Sequence, residues 1–171
     1  MANPAGRGRS AGAGGARSAG VSETFKTGCR AVPSVAGMST RFDAIGLVVT
    51  DMAAAVAFYR RLGFAFPDDA GEQPHAEADA GGGVRLLLDT EETVRSFHPG
   101  WRAPEGGGRA SLALRCDTPG EVDALYDSLV GDGYRGELKP WDAFWGQRYA
   151  VVLDPDGNGV DLFAPLSATA E

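Results

Sequence analysis

An internal repeat constrains this chain more than any other feature. Shifted by 67 residues, the first half falls on the second. Ile45, Leu47 and Val49 land on Leu112, Leu114 and Cys116; Asp51 lands on Thr118; Phe58-Tyr59 lands on Leu125-Tyr126, and Leu62 on Leu129. A chain that carries the same pattern twice folds as two similar units, each covering the apolar face of the other.

Each copy reads as strand, helix and further strands. Alternation of Ile45, Leu47 and Val49 predicts a strand over 42–50. Asp51 caps a helix whose stripe is Met52, Val56, Tyr59 and Leu62, and Gly63 ends it. A short strand over 64–66, a weak one over 71–79 and a strong one over 84–89 follow, then a short helix near 91–96 behind Thr90. The second copy has a capping box, Thr118 with Glu121, and Pro119 at the first helical position. Val122, Leu125 and Leu129 form its buried stripe, and 134–138 its next strand. Residues 141–163 then read as an aromatic-rich loop, a strand with Tyr149, Val151 and Leu153 alternating, a tight turn at Asp154-Pro155-Asp156-Gly157-Asn158, and a return strand. The predicted fold is α+β: two βαβββ modules forming a curved mixed sheet around a U-shaped cleft, lined by alternate residues of both copies. The first module spans about 40–98 and the second about 109–166, within a domain of 39–167; a Pro- and Gly-rich linker joins them.

Residues 1–38 stand apart. Gly, Ala, Ser and Arg dominate, without apolar periodicity, so a disordered tail is expected there. An equivalent expectation is that translation begins at Met38. Both are preferred to a targeting segment, because the stretch lacks the apolar core of a signal peptide. The tail carries five basic residues and one acidic; residues 39–171 carry eleven basic and twenty-two acidic, a net of −11. Such a domain repels phosphate backbones, so nucleic acid is excluded as a partner. No apolar run is long enough to cross a bilayer, so no membrane partner is expected. Cys29 and Cys116 make no disulfide framework, which points to a reducing, cytoplasmic setting.

Several residues are candidates for chemistry. Trp141, Phe144, Trp145, Tyr149 and Phe163, with Trp101 from the linker, read either as walls of an apolar pocket or as plugs of the core or of a dimer contact. Placing the Trp residues in loops favours the pocket. Gln147 and Arg148 are the nearest polar groups in the chain. Asp154 reads as a turn former, Tyr59 and Tyr126 as structural, His98 as a linker residue, and Cys116 as an unactivated thiol. The triple glycines at 81–83 and 106–108 lack the rest of a phosphate-binding loop.

The order of Ile45-Gly46-Leu47-Val48-Val49-Thr50-Asp51, Ala57-Phe58-Tyr59-Arg60-Arg61-Leu62-Gly63-Phe64 and the 154–158 turn before Asp161-Leu162 resembles the vicinal oxygen chelate superfamily. That group includes glyoxalases, extradiol dioxygenases and bleomycin-resistance proteins. The resemblance implies four metal-ligand places, which fall here on Ala44, Arg85, Ser111 and Asp161. Alanine offers no donor, arginine is a permanent cation, and one carboxylate cannot hold a catalytic divalent ion against water. Arg85 and Asp161 are expected either to form an ion pair in place of the metal or, with Arg85 turned outward, not to meet. The resulting expectation is a metal-free, cofactor-free binding protein for a small apolar or aromatic molecule, such as a drug or natural product, akin to the antibiotic-resistance branch. Its expected binding residues are Trp101, Trp141, Phe144, Trp145, Gln147, Arg85, Ser111 and Asp161, and the resemblance implies a homodimer. The alternatives are a metal-dependent lyase, isomerase or dioxygenase with divergent ligands, and a partner domain without a small ligand. The ligand places weigh against an enzyme.

Overall fold

The computed structural model describes residues 41–105 and 109–166. The tail expectation for residues 1–38, and the triple glycine at 106–108, lie outside the described residues. The domain division falls at residue 40, the second unit being Arg41–Glu171.

The first module runs β1 (Ala44–Val49), α1 (Met52–Arg61), a 3-10 turn (Ala70–Glu72), β2 (His75–Asp79), β3 (Arg85–Thr90) and α2 (Glu91–Phe97). The second runs β4 (Ser111–Arg115), α3 (Pro119–Gly131), β5 (Arg135–Ala143), β6 (Gln147–Leu153) and β7 (Gly159–Pro165). Both long helices start where the repeat places their caps. Asp51 Oδ1 accepts from the Ala54 amide at 2.9 Å, and Thr118 with Glu121 closes a capping box behind Pro119. Each such cap stabilises its helix by about 1 kcal/mol.

The α+β class and the two-module plan hold, but the strands form two sheets. One has the order β1-β3-β2 and the other β4-β7-β6-β5. In both, the module's first strand lies parallel to its last, and the remaining ladders are antiparallel. The strand expected over 64–66 makes no ladder. Phe64 and Phe66 turn into the core instead, and Arg60 donates to the Phe66 and Pro67 carbonyls that a neighbouring strand would otherwise take.

Strand alternation separates the two faces of each sheet. Leu86, Leu88, Ala76 and Ala78 of the first, and Val160, Leu162, Ala150 and Val152 of the second, are buried on the helix side. They join Phe58, Tyr59, Val122 and Leu129 in one core shared by both modules. Phe58 packs edge-on to Tyr134 at 4.9 Å between ring centres. Each fully buried large side chain contributes about 1.5–3 kcal/mol. Gly136 on β5 is required by this packing: a Cβ there would lie 2.2 Å from the Tyr126 hydroxyl and 2.7 Å from its ring carbon.

The 154–158 turn ties the modules together. Asp154 is 4 % exposed. Its carboxylate accepts from the Asp156 and Asn158 amides at 3.0 and 2.7 Å, from Asn158 Nδ2 at 2.9 Å, and from the Tyr59 hydroxyl at 2.8 Å. Gly157, at φ +86°, lets the chain reverse tightly enough for this. Asp156 Oδ1 in turn accepts from Thr50 N and Oγ1 at 3.0 and 2.6 Å. Asp154 therefore does more than form a turn: it anchors helix α1 of the other module. No described helix is long and apolar enough to cross a membrane.

Candidate functional site

The face of each sheet away from the helices carries the residues that could meet a ligand. On the first sheet these are Ala44, Gly46 and Val48 of β1, Arg85, Leu87 and Asp89 of β3, and His75, Glu77 and Asp79 of β2, by ladder register. On the second they include Ser111 and Ala113 of β4, Asp161 and Phe163 of β7, Tyr149 and Val151 of β6, and Trp141 of β5.

The first face pairs its one arginine within the module. Arg85 donates to Asp43 at 2.6 Å and, more closely, to Glu77. The guanidinium holds the Asp43 carboxyl below its usual range, and both carboxylates raise the Arg85 pKa. His75 Nδ1 meets Asp89 at 2.8 Å. Arg85 thus faces the expected side of its sheet but has other partners, and the ion pair with Asp161 does not form. Two carboxylates of its own module lie within reach of its long stem, so nothing draws it to the second sheet.

The ladders also correct the ligand place assigned to Arg85. Matching Gly83 to Gly159 aligns Arg85 with Asp161. Strand pairing is set instead by turn closure: Asp79 pairs Arg85 in the first module and Leu153 pairs Gly159 in the second. Hence Ala44 lies opposite Arg85, as Ser111 lies opposite Gly159; Asp161 lies opposite Ala113, and its counterpart is Leu87. The four places are therefore Ala44, Leu87, Ser111 and Asp161. Two have no donor atom, so this set does not fit a divalent ion. Among the described residues no three His, Cys, Asp or Glu side chains gather as a metal cluster.

The second face is aromatic with a partly exposed polar pair, Ser111 and Asp161. Trp141 meets Tyr149 at 5.0 Å and Trp145 at 6.2 Å, Trp145 meets Tyr149 at 5.5 Å, and Phe144 meets Trp145 at 4.9 Å, all edge-on. In each such pair the positive edge of one ring meets the negative face of the other, which holds the cluster together. Phe144 is 98 % exposed and Trp145 48 %. Trp145 Nε1 donates to Gln147 Oε1 at 2.9 Å, which fixes the indole. Trp141 lies on β5, not in a loop as expected, because the strand continues five residues past 138 to pair with β6 through two register irregularities. Burial first, then the neighbouring Asp161 carboxylate, pushes the Tyr149 phenol up to about 12. Ser111 Oγ donates to Asp161 Oδ2 at 2.8 Å.

Beside this pair lies a cavity of about 420 Å³. Val151 and Leu153 line it with Ser111 and Asp161, and Arg109, Arg135 and Glu137 complete its wall. Its volume suits a small organic molecule. The sequence reading passed over Arg109, Arg135 and Glu137; the signal available was strand parity, which sets Arg135 opposite Leu153.

One expected binding residue, Trp101, and the nearby polar group Arg148 lie elsewhere. Trp101 stacks under Arg95 at 5.2 Å and lines a neighbouring cavity of about 540 Å³, which shares Arg135 and Gly157 with the first and has Gly46, Thr50 and Asp156 among its other walls. Arg148 binds Asp123 at 2.8 Å and Asp142 at 3.0 Å, clamping α3 to the sheet rather than serving the aromatic cluster. Cys116 is partly buried, and burial, then Glu121 and Asp117, push its thiol pKa up, opposite to activation.

Comparison with known proteins follows the same lines. Solved structures similar to this chain include a glyoxalase/bleomycin resistance protein/dioxygenase family enzyme from Burkholderia phytofirmans PsJN, at 21% identity and TM-score 0.64, covering 72% of this chain and 98% of that one. One from Nocardioides, described as a glyoxalase/bleomycin resistance protein/dioxygenase, has 24% identity and TM-score 0.61, covering 78% and 90%. A lactoylglutathione lyase from Agrobacterium tumefaciens has 22% identity and TM-score 0.54, covering 74% and 94%. At these identities the likeness is one of fold. No curated protein matches the chain. The profile of the Glyoxalase/Bleomycin resistance protein/Dioxygenase superfamily matches residues 41–162, and the chain belongs to that superfamily.

Proposed function

We propose that this protein binds a small aromatic molecule on the second module's open face, without a metal ion, as a drug- or natural-product-binding member of its superfamily. One observation carries the reading. Where relatives would need four ligands, this chain offers Ala44, Leu87 and a Ser111–Asp161 pair, and beside that pair it sets Trp141, Trp145 and Tyr149. Ring faces and an apolar floor retain a guest by burial and stacking, with no reacting group needed. Trp141, Phe144, Trp145, Gln147, Ser111 and Asp161 are the binding residues in this reading; Arg85 and Trp101 are not. A homodimer belongs to the same proposal, since exposed Leu138 on edge strand β5 and Phe144 are apolar surface a second copy would cover.

The test is a titration of chelator-treated full-length protein with 4-nitrobenzyl alcohol, read by tryptophan quenching and calorimetry. Saturable binding, unchanged by added zinc or nickel, is expected. A stoichiometric divalent ion that survives purification, and whose removal abolishes binding or turnover, would overturn the reading.

A further inference from the structure

The cations of this domain are distributed unevenly between the two open faces. In the first module Arg41, Arg85 and Arg95 all sit on carboxylates, and Arg61 sits on Asp132 of the second. Behind the second sheet, Arg148 has two carboxylates. Arg60, Arg102, Arg109, Arg115, Arg135 and Lys139 have no carboxylate in salt-bridge range among the described residues, and of these Arg109 and Arg135 line the 420 Å³ cavity. In a domain of net charge −11, a pair of uncommitted guanidinium groups at one cavity calls for an explanation.

The cavity's own acids do not supply it. Asp161 is engaged by Ser111. Glu137 shares the wall, but neither arginine takes it as an ion-pair partner. Counting Arg109, Arg135, Glu137 and Asp161, the lining is neutral. A single negative charge can be met by guanidinium groups that no carboxylate engages, whereas a dianion adds twice the repulsion from Glu137 and Asp161. The planar fork of arginine fits a carboxylate in particular. Val151 and Leu153 provide an apolar floor, and along the same face of β6 Val151 is followed by Tyr149, which packs against Trp141 at 5.0 Å.

We infer that the molecule held by the second module is a monoanion, a carboxylate on an aromatic or apolar body. Its carboxylate lies between Arg109 and Arg135, and its body runs over Val151 and Leu153 toward Tyr149 and Trp141. This rests on the proposed binding function and adds the ligand's charge and orientation.

The experiment compares three probes of one shape on the full chain: 4-nitrobenzoate, 4-nitrobenzyl alcohol and 4-nitrophenyl phosphate. The benzoate is expected to bind about tenfold or more tighter than the alcohol, in keeping with a charge-assisted contact, and the margin should shrink as salt is raised. The double variant R109Q/R135Q should erase that margin and leave alcohol binding unchanged; R109K/R135K, which keeps charge and loses the fork, should retain part of it. Near-ultraviolet circular dichroism checks that both variants are folded. If benzoate and alcohol bind alike, or the glutamine variant weakens both equally, the inference falls while aromatic binding stands. Preference for the phosphate overturns the monoanion. If none of the three binds, the inference and the proposed function fall together.

Discussion

The two modules descend from one pattern yet present opposite faces. The first pairs its cations within the module: Arg85 between Asp43 and Glu77, and His75 on Asp89. The second leaves Phe144 and Trp145 exposed and sets Arg109 and Arg135, without ion-pair partners among the described residues, at the cavity beside the Ser111–Asp161 pair. Their final turns differ in the same way. Gly81, Gly82 and Gly83 all take positive φ, and a Cβ at any of them would touch nothing. The turn at 154–158 instead binds Tyr59 and Thr50 across the module boundary. A repeat conserves the packing side of each unit, because both helices need the same apolar stripe. The far face is free to diverge, since residues pointing away from the core alter no helix contact.

That contrast can be broken first at the shared turn. Asp154→Ala leaves the Tyr59 hydroxyl, the Asn158 side chain and two amides without their acceptor, and should cost about 3 kcal/mol or more in denaturant unfolding. Substituting Gly82 by Ala in the other module should cost less, since only its backbone conformation opposes the change. Equal losses would mean the two turns serve alike.

The next largest effect concerns the faces. Trp141→Ala with Trp145→Ala should weaken binding of 4-nitrobenzyl alcohol by about a hundredfold, on the scale of buried aromatic anchors. Calorimetry reads this without relying on the lost fluorophores. Retained affinity would shift attention to the first module.

Within the second module, Gly136→Ala forces a methyl group against the Tyr126 ring and should destabilise by about 1–3 kcal/mol in thermal or urea unfolding. No loss would show that α3 can move from the sheet without penalty.

A smaller and graded effect is alkaline. The Tyr59 pKa is raised by burial first and then by Asp154 and Asp156, and that of Tyr149 to about 12. The unfolded chain releases both phenolic protons near pH 10 while the folded one keeps them. The stabilisation is therefore complete below about pH 10 and declines as pH rises from there, through about 12 for Tyr149. Tyr59→Phe should remove about one proton from the slope of stability against pH above 10. An unchanged slope would contradict a buried Tyr59 hydroxyl.

The smallest effect belongs to the first face. Arg85→Gln breaks only exposed ion pairs, so the melting temperature should fall slightly at low salt and not at high salt. Affinity for 4-nitrobenzyl alcohol should not change. A lost affinity would restore Arg85 to the site.

Much of this was legible in the residues. The caps at Asp51 and Thr118, the buried stripes around Tyr59 and Tyr126, and the alternation of Tyr149, Val151 and Leu153 follow from local periodicity, and they emerge where expected. The gathering of Trp141, Phe144, Trp145 and Tyr149 was also visible, because these residues are neighbours along one hairpin. Less was legible where partners are distant. Arg85 has Glu77 on the adjoining strand and Asp43 before β1, and no spacing rule announces both. Leu87 stands where a glycine match had put Arg85, because turn closure rather than residue identity sets register.

By itself, then, the sequence determined two α+β modules with capped helices, a common apolar core and ligand places poor in donors. Tertiary structure alone decided that the strands divide into two sheets, that Asp154 holds the neighbouring module's Tyr59, and that Arg109 and Arg135 share a cavity with Asp161. The physical reason is range. Helix caps and strand alternation depend on residues a few positions apart, whereas ion pairs, register and cavities depend on which groups the folded chain brings together from far along its length.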